Sequence, residues 1–480
     1  MRSCARLSEI AGRSGLAALT GVGSGEILSL ISGLTLGLIL SLILSMSGGC
    51  ASHPLQMSSA RALMAGQDYS AALGEVDKIC KGNDDVLCLL EKGLLLHYVG
   101  EYDSSNKVFD RAEVRTEELY GKSVSREAAS LVTSNLVLQY VPRPYEQVLI
   151  NYFRALNYVF LGDQEGALVE CRKASEKLAR YADAGKRPYR QDAFMEYLTG
   201  ILYEWGGETN DALVSYKNAV DAYKAYRDLL GVPAPTELAC DMLRTAESLG
   251  FASDAEAVPA DDRARCAGDS LVEADSSARV VVIVEAGFVP AEREASINIP
   301  ILKSEAHHAH DDPYDFSLGI ESRMYGNSFS ADEIDYFLRI AMPYYADVPP
   351  SHPSPAFYLD SLEYVPAECE DVYAIARQEL KSDMPGIFAK TLARAIVKYE
   401  LSSKAEGKYG RLMGTLVNAA GAATEQADLR SWLSLPRAIY LETVYVAPGP
   451  HTITLAARTG QSVQVTTEPG TINFVRFRLY

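Results

Sequence analysis

Residues 145–166 read YEQVLINYFRALNYVFLGDQEG. Apolar and aromatic side chains recur every three or four positions from Tyr145 to Phe160, the spacing of a buried helix, and Gly162-Asp163 ends it. Ala155 stands seven residues before Gly162 and Tyr158 four before, while Ala167, Cys171 and Ala174 follow at five, nine and twelve. The same offsets recur around Gly100, with Gly93, Leu96, Ser105, Phe109 and Ala112, and around Gly207, with Gly200, Tyr203, Ala212, Tyr216 and Ala219. Around Gly66 only Ala71 keeps its place. Small residues set opposite large ones across a turn let two antiparallel helices pack closely, so the pattern predicts a stack of helical hairpins.

This pattern resembles the tetratricopeptide repeat. Gly66 to Gly100 spans 34 residues, the period of that repeat, whereas the later spacings of 62 and 45 residues require insertions. A repeat domain is expected over residues 57–250, closed by a helix at Thr236–Leu249. One insertion, Tyr140-Val141-Pro142-Arg143-Pro144-Tyr145-Glu146, is a stiff bend that either edges a groove or turns a structural corner. Such arrays leave a groove, and tyrosine suits an interface because its broad apolar ring ends in a hydroxyl compatible with water. Tyr158, Tyr203 and Tyr216 occupy packing positions of the repeat; Tyr152, Tyr189 and Tyr197 do not, and are the partner-binding candidates.

Beyond the array the texture changes. Residues 251–278 are polar, acidic and small, and read as a linker. Residues 279–480 read as a β-rich, sandwich-like domain interrupted by a helical insertion at 371–427. Strands are expected at Arg279–Glu285, Glu294–Leu302, Phe357–Tyr364, Ala438–Val446, His451–Ala457, Ser462–Thr467 and Ile472–Leu479, with residues 303–356 as loop. The fold class is thus α+β and multidomain, an N-terminal tetratricopeptide-like α-solenoid followed by a β-rich domain.

The N-terminus carries a different signal. Arg2, Arg6 and Arg13 precede the apolar run Ile27–Met46 and the small residues Ser47-Gly48-Gly49, with Cys50 next. A basic start, an apolar middle and small residues before a cut describe a secretory signal over residues 1–49. Ser47-Gly48-Gly49-Cys50 resembles the lipobox of bacterial lipoproteins, with Ser47 where that motif usually has Leu. The resemblance implies acylation of Cys50, a short tether over residues 50–56, and a membrane contact made through lipid alone. The competing reading is an uncleaved anchor, since the run is near the ~20 residues that span a bilayer.

The chain has 480 residues, of which 48% are hydrophobic and 22% charged, with a net charge of −18. An acidic body repels nucleic acid and anionic lipid head groups, which excludes both as expected partners. In an exported chain disulfides persist. Cys80 and Cys88 flank the turn Lys81–Asp85 and are expected to pair; Cys240 and Cys266 flank a second loop and are a weaker pair; Cys171 lies on an apolar helix face and reads as a buried free thiol.

Chemistry-bearing motifs are sparse. Gly268-Asp269-Ser270-Leu271 spells an esterase signature but sits in a polar segment with no paired Asp and His downstream. His307, His308 and His310 beside Asp311-Asp312 form a metal-capable set or a plain surface loop. Trp432, one of two tryptophans, is expected to lock the helical insertion onto the sandwich, and the small residues of Leu412–Ala427 to allow close helix packing. No cofactor, small-molecule substrate or catalytic set is expected.

Taken together, Tyr145–Gly166, Met384–Tyr399 (MPGIFAKTLARAIVKY) and Thr424–Pro436 (TEQADLRSWLSLP) resemble a largely uncharacterised family of bacterial envelope lipoproteins with N-terminal tetratricopeptide-like repeats. The resemblance implies export and lipidation; Ala51 and Ser52 after the cysteine, by analogy with lipoprotein sorting, point to the periplasmic side of the outer membrane. The residues themselves suggest a lipid-anchored, non-enzymatic scaffold that binds an envelope protein through its repeats. A regulator of cell-wall synthesis or an outer-membrane assembly factor is the related alternative, and a hydrolase in the β-rich half the alternative of another class.

Overall fold

The structure, a computed structural model, describes residues 53–82, 85–121, 138–183, 191–269, 277–302, 334–350, 352, 354–409, 425–457 and 460–480. Cys50, Tyr189, Ser270, the three histidines 307, 308 and 310, and most of Leu412–Ala427 lie outside them. After a single turn at His53–Gln56, helices pair in sequence order: α1 Ser58–Ala65 with α2 Tyr69–Cys80, α3 Val86–Val99 with α4 Tyr102–Gly121, α5 Pro144–Leu161 with α6 Gln164–Asp183, and α7 Ala193–Trp205 with α8 Thr209–Leu230.

The sequence explains the hairpins. Gly100 and Gly162 end α3 and α5 at φ 92° and 74°, the left-handed conformation that glycine enters without a Cβ penalty. The following amides then return to Leu96 and Tyr158 carbonyls at 2.9 and 2.8 Å. The small residues of the first helices receive the large ones of the second. A Cβ on Gly93 would sit 2.6 Å from the Phe109 ring, and one on Gly200 would overlap Tyr216. Pro144 opens α5 at its first position, where a missing N–H is harmless, and the Glu146 carboxylate accepts from the Arg143 amide at 2.8 Å. The insertion is therefore a structural corner.

Helix α9, Thr236–Ser248, packs on α8 where a closing helix was expected. The segment read as a linker continues it instead, as α10 Ala252–Ala257 and α11 Ala260–Asp269. The polar, acidic composition hid these helices because, of residues 251–266, only Val258 and Cys266 are buried.

Among the described residues the β-rich half forms two four-stranded sheets and a ribbon. In order along the chain the strands are β1 Ala278–Ala286, β2 Arg293–Leu302, β3 Ile334–Tyr344, β4 Phe357–Leu359, β5 Leu362–Tyr364, β6 Ala367–Asp371, β7 Ala438–Val446, β8 Gly449–Leu455, β9 Ser462–Thr467 and β10 Ile472–Leu479. One sheet runs β10-β1-β7-β6 and the other β5-β4-β8-β9. Central β1 pairs in parallel with β10 and antiparallel with β7. The single strand expected at 357–364 is a tight hairpin, turned by Asp360 at φ 53°. Strand β3 falls in the stretch read as loop; Asp335, Arg339 and Pro343 masked its alternation of Leu338, Ile340 and Met342. It pairs with β2 as a ribbon whose Ile299, Leu338 and Ile340 pack on Ala395 and Tyr399 of the long helix α12, Val372–Tyr409.

Val280, Val282 and Val284 of β1 face the second sheet, with Phe357, Ile453 and Leu455 across the sandwich core. Val281 and Ile283, on the opposite face, join the same core as the helices. Every residue of β1 is buried. A strand covered on both faces reads as a continuous apolar run, which is what Val280–Val284 shows. The molecule from His53 to Tyr480 is one compact unit of three layers: helical array, sheet, sheet.

Candidate functional site

The first helix of each hairpin lines the face on which a tetratricopeptide-like array would take a partner. Here that face is occupied. In α5 all residues from Tyr145 to Asn157 are buried, and in α7 all from Ala193 to Leu202, whereas α6 and α8 are buried along one stripe only. What covers the first helices is the chain's own sheet. Trp205 meets Phe474 of β10 at 5.5 Å between ring centres, and the Arg476 guanidinium lies 4.9 Å over Tyr98.

The two partner-binding tyrosines that the structure describes are part of this joint. Tyr152 and Tyr197 are each 0% exposed. Tyr152 donates its hydroxyl to Glu285 of β1 at 3.0 Å, and Tyr197 donates to Asp241 of α9 at 2.9 Å. Neither can reach a partner. Their departure from the repeat's packing positions was a real signal, but its cause is a buried partner and not a groove: the sheet for Tyr152 and helix α9 for Tyr197. Tyr223 behaves in the same way, bonding the Cys369 carbonyl of β6 at 2.9 Å.

Ionisable groups are spent on the same joint. Arg279 of β1 reaches Glu204 of α7 at 2.8 Å and Asp241 at 3.2 Å, and Arg244 of α9 closes the set on Asp241 at 2.7 Å. Burial pushes the Glu204 carboxyl up, but Arg279 and Arg244 outweigh it and hold the group down to about 2. Arg478, 1% exposed, donates to the Glu285 carbonyl at 2.9 Å. A second cluster joins the α5 corner to the base of the ribbon. Arg143 pairs with Glu292 at 2.7 Å, and Glu146 accepts from the Trp432 amide at 2.8 Å. Burial pushes the Glu292 carboxyl up to about 7 against the pull of Arg143, and neighbouring Glu146 adds to the rise.

Trp432 itself is 0% exposed and packs on Phe109 and Phe153 at 5.8 and 5.9 Å. It locks the segment after α12 onto the helical array, not the insertion onto the sandwich as the sequence suggested. The Leu433 amide beside it donates to Glu91 of α3 at 2.9 Å.

An accessible site lies at the far end of the array. A cleft of about 530 Å³ opens between α8, α9 and α11. Pro233, Pro235, Leu238, Met242 and Val258 make its apolar floor, and Lys217, Lys224, Arg227 and Arg265 stand at its rim. Each rim cation has an acidic neighbour: Lys217–Asp254 at 2.6 Å, Lys224–Asp221 at 2.7 Å, Arg227–Asp228 at 3.4 Å and Arg265–Asp262 at 2.8 Å. Exposed pairs of this kind contribute about 0–1 kcal/mol, so they exchange readily with an incoming group. Cys240 and Cys266 are joined with Cα atoms 5.3 Å apart, tying α9 to α11 and fixing the two walls. The proline-rich phrase Pro233-Ala234-Pro235 and Pro259 were the sequence's only hint of this preformed cleft.

Cys80 and Cys88 are likewise joined, Cα atoms 5.8 Å apart, across the α2–α3 turn. Cys171 is a buried free thiol, pushed up to about 12 by burial, and Cys369 is a second. Among the described residues no group of three or more His, Cys, Asp or Glu is placed to hold a metal ion, and no helix is long and apolar enough to cross a membrane.

No protein-family model matches the sequence, and no curated protein matches it. Solved structures similar to part of it include MamA, at 12% identity over 44% of this chain and 94% of that one, with a TM-score of 0.28. BtubC from P. vanneervenii is similar at 18% identity over 46% of this chain and 78% of that one, with a TM-score of 0.28. PilW, a widely conserved type IV pilus biogenesis factor, is similar at 17% identity over 45% of this chain and 94% of that one, with a TM-score of 0.23. At these scores the assignment of helical repeats stands on the hairpin geometry described above.

Proposed function

We propose that this chain is a non-enzymatic, lipid-anchored scaffold of the bacterial envelope that takes a protein partner through its helical half. The observation that carries the reading is how the perturbed ionisable groups are used. In enzymes such groups converge on a cleft. Here Glu204, Arg279, Glu292 and Arg478 all lie in the joint between helices and sheets, where they fix one layer on the next. The result is a rigid platform. Its inner face is filled from within, so the partner segment enters the cleft between α8, α9 and α11, seating an apolar side chain on Leu238 and Met242. Cys50 supplies the anchor, at the periplasmic side of the outer membrane.

Ala234 is exposed at the cleft's edge, so a larger side chain there fills the cleft without entering the core. Affinity capture from membranes with tagged Ala234→Trp is expected to lose its partner by on the order of ten-fold, with an unchanged melting temperature. Equal recovery by the variant overturns the cleft assignment. Cys50→Ala is expected to leave an unprocessed precursor without acyl label, and unchanged labelling overturns the anchor.

A further inference from the structure

Open sheet edges present unpaired amides, and proteins normally blunt them with charge, proline, bulges or brevity. Three of the four edges of this sandwich are blunted. Strand β10 has its outward Arg478 backbone covered by the Gln461 side chain, which donates to the carbonyl at 2.7 Å. Strand β6 is bulged between Glu368 and Glu370, and β5 is three residues long. Strand β9 has none of these devices. Its six residues, Ser462-Val463-Gln464-Val465-Thr466-Thr467, carry no charge and no proline and pair with β8 without a bulge. Ser462, Val463, Gln464 and Thr466 are exposed.

The direction of its free amides follows from one proline. Pro450 stands opposite Thr466 and has no N–H, so that pair is not the hydrogen-bonded kind. Bonded and non-bonded pairs alternate in an antiparallel ladder. The Leu455 amide bonds the Gln461 carbonyl at 2.9 Å, which fixes the same parity from the other end. Val463, Val465 and Thr467 therefore bond β8, while the N–H and C=O groups of Ser462, Gln464 and Thr466 point out of the open edge. Val463 shares its face with buried Ile453 yet remains 36% exposed, a core-facing valine left partly open at the sheet edge.

We propose that this edge pairs with itself: a second copy of the chain adds its β9 antiparallel about a two-fold axis through Gln464, joining two four-stranded sheets into one. The strip is complementary to itself in that register. Gln464 faces Gln464 of the second copy, Ser462 faces Thr466, and the outward amides bond one another. Val463 faces Val465, which covers the exposed valine and continues the sandwich core across the axis. No like charges meet along the strip, which matters in a chain of net charge −18. Its remaining charges are screened beyond about 8 Å at physiological salt.

The register makes the test specific. A hydrogen-bonded antiparallel pair sets its Cα atoms about 5.5 Å apart, within disulfide reach. Full-length Gln464→Cys is expected to form a covalent dimer under air oxidation, and Val463→Cys, one position off the axis, is expected not to. Gln464→Pro deletes an outward N–H that the β8 ladder does not use, so it is expected to sediment as a monomer with the parent's melting temperature while the parent sediments as a dimer at the same concentration. A parent that is monomeric throughout, cross-linking that is absent or equal at the two positions, or a dimer that survives the proline each overturns the proposal. A monomeric parent whose open edge instead binds a foreign strand overturns it too.

Discussion

Glu292 and Glu204 are two buried carboxyls of the same joint with opposite signs. Glu204 is held down to about 2, against an unfolded value of about 4.3, so it contributes stability above that unfolded value and loses it as pH falls towards 2. Burial pushes Glu292 up to about 7, so the folded state holds its proton more tightly than the unfolded chain does. That contribution is complete below about 4.3 and is lost as pH rises to about 7. Denaturant unfolding across this range is expected to show stability falling towards pH 7, and Glu292→Gln is expected to flatten that fall while leaving the acid limb set by Glu204. A parallel shift of both limbs would contradict the assignment. None of this was legible in the sequence. Arg143 and Glu292 are 149 positions apart, and nothing local marks Arg279 at the start of an apolar strand as the partner of Glu204.

The helix hairpin is where the sequence was most informative. The offsets around Gly100 and Gly207 put Gly93 opposite Phe109 and Gly200 opposite Tyr216, and those are the contacts the fold makes. The physical reason is that close helix packing is a local constraint: it needs a small residue at one fixed distance from a turn and a large one at another. Gly200→Ala is expected to destabilise by about 1–3 kcal/mol, because overpacking outweighs the gain in helix propensity. Thermal unfolding checks the value, and the same substitution at exposed Gly386 of α12, with open space around it, serves as the contrast. Where constraints were not local, the reading failed. Tyr152 and Tyr197 sit off the hairpin packing positions because they bond Glu285 and Asp241, residues that the pattern around the turns does not sample. Strand β3 was missed for a related reason. Its ribbon is covered by α12, so only one face had to be apolar, and Arg339 on the other face bonds Glu294 across the ribbon at 3.0 Å.

At the scale of the molecule, the array and the sandwich do not behave as beads on a linker. Val281 and Ile283 of β1 share a core with Leu156 and Leu198 of the helices, while their neighbours Val280 and Val282 share another with the second sheet. Neither half can keep β1 buried alone, since removing the helices would expose one of its faces and removing the second sheet the other. Trp432 is the clearest handle on this coupling. It belongs by sequence to the β-rich half, yet its ring lies among Phe109 and Phe153 and its backbone amide is held by Glu146 of the array. Truncating a buried tryptophan costs about 3–5 kcal/mol through lost transfer energy and the cavity left behind. If the joint is what makes the unit, Trp432→Ala is expected to lower one common transition, read with the same midpoint by far-ultraviolet dichroism for the helices and by tyrosine emission for the whole. If the halves were autonomous, the helical signal would keep its midpoint and a second transition would separate from it.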